Sequence, residues 1–371
     1  VKDGEWYLHL FDPSQPDLNW ANYEVQDEFD SIIRFWLDMG AAGFRTDVAH
    51  GLSKHPDYAD LAEDGTGGDH PYWDRDDVHT VIRRWRRVID SYPDDRMMVA
   101  EAWPDTLDRH ILYQRPDEFH QAFNFFLLMS EWDLESMRRI IEDSLTGSSS
   151  VGSLPTWVLS NHDVVRAATR LGLVPGVDAE AWLLNADPEL LDEAAGRRRA
   201  LAASLLVLAL PGSAYIYQGE ELGLPEVVDL PIDVLDDPIW ERSGHTAKGR
   251  DGCRVPIPWT RQGDSYGFGG DPWLPMPAGW GELSVEAQQG SGDSTLQMFR
   301  TALQARRGFS SVEAFDWLEI EDALAFRRDN LTCITNFGSN SIALPAGEVI
   351  VASGDISSGR LPPETTAWVS S

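Results

Sequence analysis

Stretches with the period of a helix alternate along most of this chain with short apolar runs, and only a few architectures accommodate that order. Residues 22–40, NYEVQDEFDSIIRFWLDMG, place Val25, Phe29, Ile32 and Trp36 at helical spacing between an N-cap, Asn22, and a stop, Gly40. The strand AAGFRTDV follows. A second amphipathic helix, DDVHTVIRRWRRVIDSYP, leads to the strand RMMVAEAW, and QAFNFFLL reads as a third strand. The helix LESMRRIIEDSL then gives way to a flexible TGSSSVGS, the strand LPTWVLSNHD, and a helix running into a last strand within RRRALAASLLVLALPGSAYIYQGEEL. Such alternation implies βαβ units and a parallel sheet. Residues from about Gly223 to Gly292 are rich in Gly, Pro and Trp and read as long loops, and TLQMFRTALQARRGF is one more helix. Near Val312 the pattern changes to short strands with turns, so the chain divides into an α/β part, 1–310, and a small antiparallel β domain, 311–371.

Acidic residues close three of these strands. Arg45 and Asp47, two apart, share one side of their strand. Glu101 closes the run MMVA within RMMVAEAW, and His162 with Asp163 follows WVLSN. One acid at a strand end is ordinarily a helix cap or half of an ion pair. Three of them, at the carboxyl ends of three of the parallel strands, stand where such folds place active sites.

A retaining glycosidase needs an ionised carboxylate as nucleophile and a protonated carboxyl as acid. Arg45 would hold Asp47 ionised. Met98, Val99, Ala100, Ala102 and Trp103 supply the apolar surroundings that raise a glutamate, here Glu101. Asp163 and His162 are left to bind sugar hydroxyls and to answer positive charge on the ring. The formal net charge of −31 disfavours nucleic acid and anionic membranes and favours uncharged or cationic ligands. No apolar run is long enough to span a bilayer. Cys253 and Cys333, far apart, signal neither a disulfide framework nor a metal site, so a reducing cytoplasm is the default expectation.

The segments GFRTDVAH, VAEAW and LSNHD resemble, in order, three conserved segments of the α-amylase family of retaining glycoside hydrolases. YLHLFDPSQPDLNW, PGSAYIYQGEELGL and GRDGCRVPIPW resemble its α-glucosidase and oligo-1,6-glucosidase branch. The resemblance covers nearly the whole chain. It implies a (β/α)8 TIM barrel followed by a C-terminal antiparallel β-sandwich domain. It makes Asp47 the nucleophile, Glu101 the acid/base and Asp163 the transition-state stabiliser, with Arg45, His162 and Arg166 as ligands of the nucleophile or of the reacting sugar. The expected substrate is a small α-glucoside or oligosaccharide, with no cofactor. Val48, directly after the nucleophile, goes with acceptance of α-1,6 bonds in this branch.

The family normally supplies an Asn-His pair at the end of its third strand, and no equivalent occurs here. Residues 44–48, 97–101, 122–126, 156–160 and 214–217 therefore count as strands four to eight. The opening VKDGEWYLHLF reads like the interior of a protein, and a partial barrel of this kind is expected to be inactive alone. Trp20, Trp73, Trp103, Trp240, Trp259, Trp273 and Trp280 are candidates for stacking on sugars, Trp103 foremost because it follows Glu101 so closely. Packing is the commoner use of such rings. Asp69, His70 and Asp74 resemble loose metal ligands, but their spacing matches no strong site and a solvated loop is the expectation. Two other activities share the trio, transglycosylation and sugar isomerisation. A non-catalytic scaffold of the kind that accompanies amino-acid transporters would lack the acids and carry a membrane helix.

Overall fold

The computed structural model describes residue 4 and residues 6–60, 70–309 and 315–370. They fall into two compact units, Val1–Asn124 with Glu142–Thr156, and Phe125–Ile141 with Trp157–Ser371. The expected boundary at 310/311 and the candidate ligand Asp69 lie outside the described residues.

In the first unit, helix α1 (Tyr23–Asp38) leads into strand β1 (Gly43–Thr46), helix α2 (Val78–Ile89), strand β2 (Met97–Ala100) and strand β3 (Gln121–Asn124). The strands pair in parallel, with Gly43 opposite Met97 and Val99 opposite Gln121. Asn22 caps α1 by accepting the Glu24 N–H at 2.9 Å, and Gly40, at φ 100°, lets the chain leave it. Helix α2 buries Val78, Val81, Ile82, Trp85, Val88 and Ile89, one face at helical spacing. Each such side chain contributes roughly 1.5–3 kcal/mol on burial. The RRWRR segment turns its cations outward onto acids: Arg84 pairs with Asp30 at 2.8 Å, and Arg86 with Asp90 at 2.8 Å.

Two local expectations give way. Helix α1 buries Gln26, Ile33 and Leu37, with Val25 and Phe29 packed alongside, while Ile32 and Trp36 are exposed. Apolar residues lie on more than one side of that helix, so spacing alone does not choose the buried one. TGSSSVGS is not a flexible linker, because the helix Leu134–Ser150 runs through its first five residues. The small residues are there for close packing. A Cβ on Gly147 would lie 2.0 Å from Ile111 Cδ1, Ser144 accepts from Asn124 Nδ2 at 2.7 Å, and Ser148 donates to Gln114 at 3.2 Å.

In the second unit, Phe125–Leu128, expected to extend β3, is a helical turn. Strands β4 (Thr156–Val158) and β5 (Ser213–Tyr215) are neighbours in their sheet, and the helix Glu193–Ala209 precedes β5. The long-loop region is built of short helical turns over a core containing Leu222, Leu224, Val255 and Trp280. After the helix Thr295–Arg306 come β6 (Phe315–Ile320), β7 (Ala323–Arg328), β8 (Leu331–Asn336), β9 (Ile342–Ala343), β10 (Glu348–Ala352), β11 (Arg360–Leu361) and β12 (Thr365–Ser370). Five of them form an antiparallel sheet in the order β10-β12-β8-β7-β6, and β9 pairs with β11. This sheet packs on the helix Glu193–Ala209, where Thr366 Oγ1 donates to the Ala202 carbonyl at 2.8 Å and Trp368 Nε1 to that of Leu205 at 3.0 Å. Among the described residues, no helix is long and apolar enough to cross a membrane.

Candidate active site

Strand β1 stops at Thr46, one residue short of the acid it was expected to contain. Asp47 lies in the turn that follows, and Val48 adopts a left-handed conformation, φ 44° and ψ 45°. A β-branched residue rarely takes that conformation, and such outliers gather at functional sites. Asp47 keeps the partner foreseen for it, since Arg45 Nη1 donates to its Oδ1 at 2.7 Å. Its side chain is 71% exposed and open to a ligand.

Strand β2 likewise ends at Ala100, and Glu101 follows it, buried to 6% exposure. The two strand ends are tied together through the backbone. The Val48 N–H donates to Glu101 Oε2 at 2.6 Å, Ala49 N to the Glu101 carbonyl at 2.8 Å, and Glu101 N to that of Thr46 at 2.9 Å. Trp103 Nε1 donates to Glu101 Oε1. Burial pushes the Glu101 carboxyl above the usual range, and nearby Asp47 pushes the same way. The Val48 and Trp103 hydrogen bonds and Arg45 pull against them. Asp47 and Glu101 thus differ in kind, one open and ion-paired, the other buried and inclined to keep its proton.

The indole bond can be tested through pH. Trp103→Phe removes a donor that stabilises the Glu101 carboxylate, so its pKa rises further. The alkaline limb of the kcat/KM profile, where a general acid loses its proton, is expected to move to higher pH. A limb that stays in place or moves down contradicts this role for Trp103.

His50, not among the residues expected at the site, stacks on Trp73 with ring centroids 5.0 Å apart. Burial lowers its pKa to about 4, so it is a neutral imidazole near pH 7. The only pointer to it in the sequence is its place in GFRTDVAH. The two described candidates for metal ligation are engaged elsewhere. His70 Nδ1 accepts the N–H of Tyr72 at 3.1 Å and of Trp73 at 3.2 Å, and Asp74 takes Arg109 Nε at 2.8 Å and the Tyr113 hydroxyl at 2.6 Å. Among the tryptophans, Trp20 and Trp280 are buried in cores and Trp240 stacks on His245, while Trp103, Trp259 and Trp273 are exposed.

Asp163 belongs to the second unit. His162 Nε2 lies 3.4 Å from its Oδ2. Two cations from GRDGCR meet at its other oxygen, Arg250 Nη1 at 2.9 Å and Arg254 Nη2 at 3.1 Å. Arg250 is itself held by Asp237, and Arg254 Nε donates to the His162 carbonyl at 2.9 Å. Nothing local in GRDGCR marks its arginines for this role, because only the tertiary fold brings positions some ninety residues apart together. Arg166, expected as a ligand of the nucleophile or of the reacting sugar, is 2% exposed. Its guanidinium donates to the carbonyls of Gln218 at 2.6 Å and Cys253 at 2.7 Å, over the Tyr217 ring.

Comparison with known proteins supplies the wider frame. Residues 1–313 match the alpha-amylase catalytic domain, and the chain belongs to that family of glycoside hydrolases. Its parallel strands are accordingly those of the family's TIM-type barrel, followed along the chain by the antiparallel sheet domain. A trehalose-6-phosphate hydrolase of Bacillus subtilis is 29% identical over 83% of this chain and 56% of its own length. An oligo-1,6-glucosidase of Parageobacillus thermoglucosidasius is 28% identical over 91% of this chain and 64% of its own. The chain therefore spans less than two thirds of these curated relatives. Among solved structures, an α-glucosyl transfer enzyme matches with a TM-score of 0.75 at 30% identity, over 98% of this chain and 70% of that one. The isomaltulose synthase of Klebsiella sp. LX3 matches with a TM-score of 0.80 at 25% identity, over 100% and 72%.

Proposed function

We propose that this sequence carries the catalytic residues of a retaining α-glucosidase that releases glucose from short, neutral α-glucosides by double displacement. Asp47 attacks the anomeric carbon and forms the glycosyl ester. Glu101 protonates the departing oxygen and then takes a proton from water. Asp163, with His162, binds ring hydroxyls and answers the positive charge that builds on the sugar.

The observation that carries this reading is the contrast between the two carboxyls joined through Val48: an open, arginine-paired aspartate beside a buried glutamate with a raised pKa. A neutral substrate fits the pairing of cations in this unit. Arg45 is paired with Asp47, Lys54 with Asp17 at 2.8 Å, and Arg109 with Asp74 and Asp76, so these cations are already matched by acids. Val48 supports acceptance of isomaltose-type α-1,6 bonds beside α-1,4 bonds.

Double displacement fixes the stereochemistry, so the first sugar released is expected to be the α-anomer. Proton NMR during the earliest turnovers decides the matter, and β-glucose appearing first overturns the mechanism. A second reading, glucosyl transfer or isomerisation by the same trio, draws support from the transfer enzyme and the isomaltulose synthase among the matches. The ratio of new glycosides to free glucose at high acceptor concentration separates the two.

A further inference from the structure

Asp163 is held by a closed circuit of bonds, and one buried acid stands inside it. Arg250 and Arg254 grip Asp163 from the short helix Asp251–Arg254 and the residue before it. That helix rests on Arg166 and Tyr217, which donate to the Cys253 carbonyl at 2.7 and 3.0 Å. Arg166 returns to Asp163 three residues back along the chain. Glu226, 7% exposed, touches both arms. Its Oε2 accepts the Arg166 N–H at 2.8 Å, and its own N–H donates to Thr169 Oγ1 at 2.9 Å. Its Oε1 sits 2.3 Å from where a Cβ on Gly252 would stand, so only glycine lets the helix lie this close.

We infer that Glu226 is a positioning residue for Asp163, fixing the turn 163–166 against the helix 251–254 so that Arg250 and Arg254 hold the carboxylate in place. This rests on the role proposed for Asp163 and adds a residue that touches no substrate. A carboxylate that answers a developing cation works only if its place is set beforehand.

The test compares a cationic and a neutral ligand of the same pocket, the protonated iminosugar 1-deoxynojirimycin and glucose. Glu226→Ala is expected to weaken the iminosugar about tenfold and glucose by less than about twofold. Glu226→Gln keeps an acceptor for the Arg166 N–H and is expected to stay within about threefold of the parent for both ligands. Equal losses for the two ligands in the alanine variant, or a glutamine variant as impaired as alanine, overturn the proposal. Thr169→Val is nearly isosteric and removes the acceptor of the Glu226 N–H. It serves if the alanine variant does not fold, and unchanged selectivity there also overturns the proposal. Asp163→Asn is measured in parallel. If it leaves iminosugar affinity intact, the role of Asp163 falls and takes this inference with it. If it loses that affinity while Glu226→Ala does not, only the placement of Glu226 is wrong.

Discussion

Asp47→Asn is expected to reduce turnover in the active protein below about a hundredth of the parent, with the fold intact. A neutral amide cannot form the glycosyl ester. Glu101, tied to the same turn, is buried and engaged by Val48 and Trp103, so it does not take over the attack. Structural damage should be small, because the Asp47 side chain is mostly exposed and its ion pair with Arg45 is part-exposed. Thermal melts of the two proteins should therefore nearly coincide. Residual turnover above about one part in a hundred would remove Asp47 from the nucleophile's place.

Glu101→Gln is expected to discriminate by leaving group. General acid help matters most where the departing oxygen is basic, so maltose-like substrates should lose on the order of a hundredfold or more in the glycosylation step. An activated aryl α-glucoside, whose phenolate leaves unaided, should lose far less in that step. Pre-steady-state rates are the measurement, because the same residue serves as base when the ester is hydrolysed. Equal losses for the two substrates would point to another acid. Glutamine is a demanding control here. Its oxygen can still accept the Val48 N–H, but its NH2 then faces the Trp103 Nε1–H, so thermal melts are compared alongside the rates.

What the sequence disclosed, it disclosed through periodicity and strand ends. Helix α2 buries the face its spacing marks, and Asn22 and Gly40 bound α1 as their chemistry suggests. Arg45 and Asp47 do pair. What it withheld depends on contacts made across the fold. Ile32 and Trp36 look like core on α1 until Ile33 and Leu37 are seen to be buried instead. Gly147 and Ser148 read as linker until Ile111 and Gln114 are found against them. Arg250 and Arg254 carry no local sign of meeting Asp163, and nothing in NHDVVR indicates that Arg166 turns inward to backbone carbonyls. Local pattern fixes where an element lies. Partners fix what its side chains do.

The left-handed turn at Val48 has a cost and a consequence. Such a conformation is worth of order 1–3 kcal/mol against stability, yet it lies between the residue proposed to hold the sugar and the residue proposed to pass the proton. Its amide is a mechanical link between them. Whenever Glu101 changes its ionisation, the bond to Val48 tightens or slackens, and the adjustment is felt one residue from Asp47. Selection for heat resistance would reach this position early, since glycine would accept the same turn without protest. The relaxed protein would melt later and hold its attacking oxygen less firmly. Heat resistance gained at this peptide unit would therefore come at the expense of how firmly the carboxylate beside it is placed.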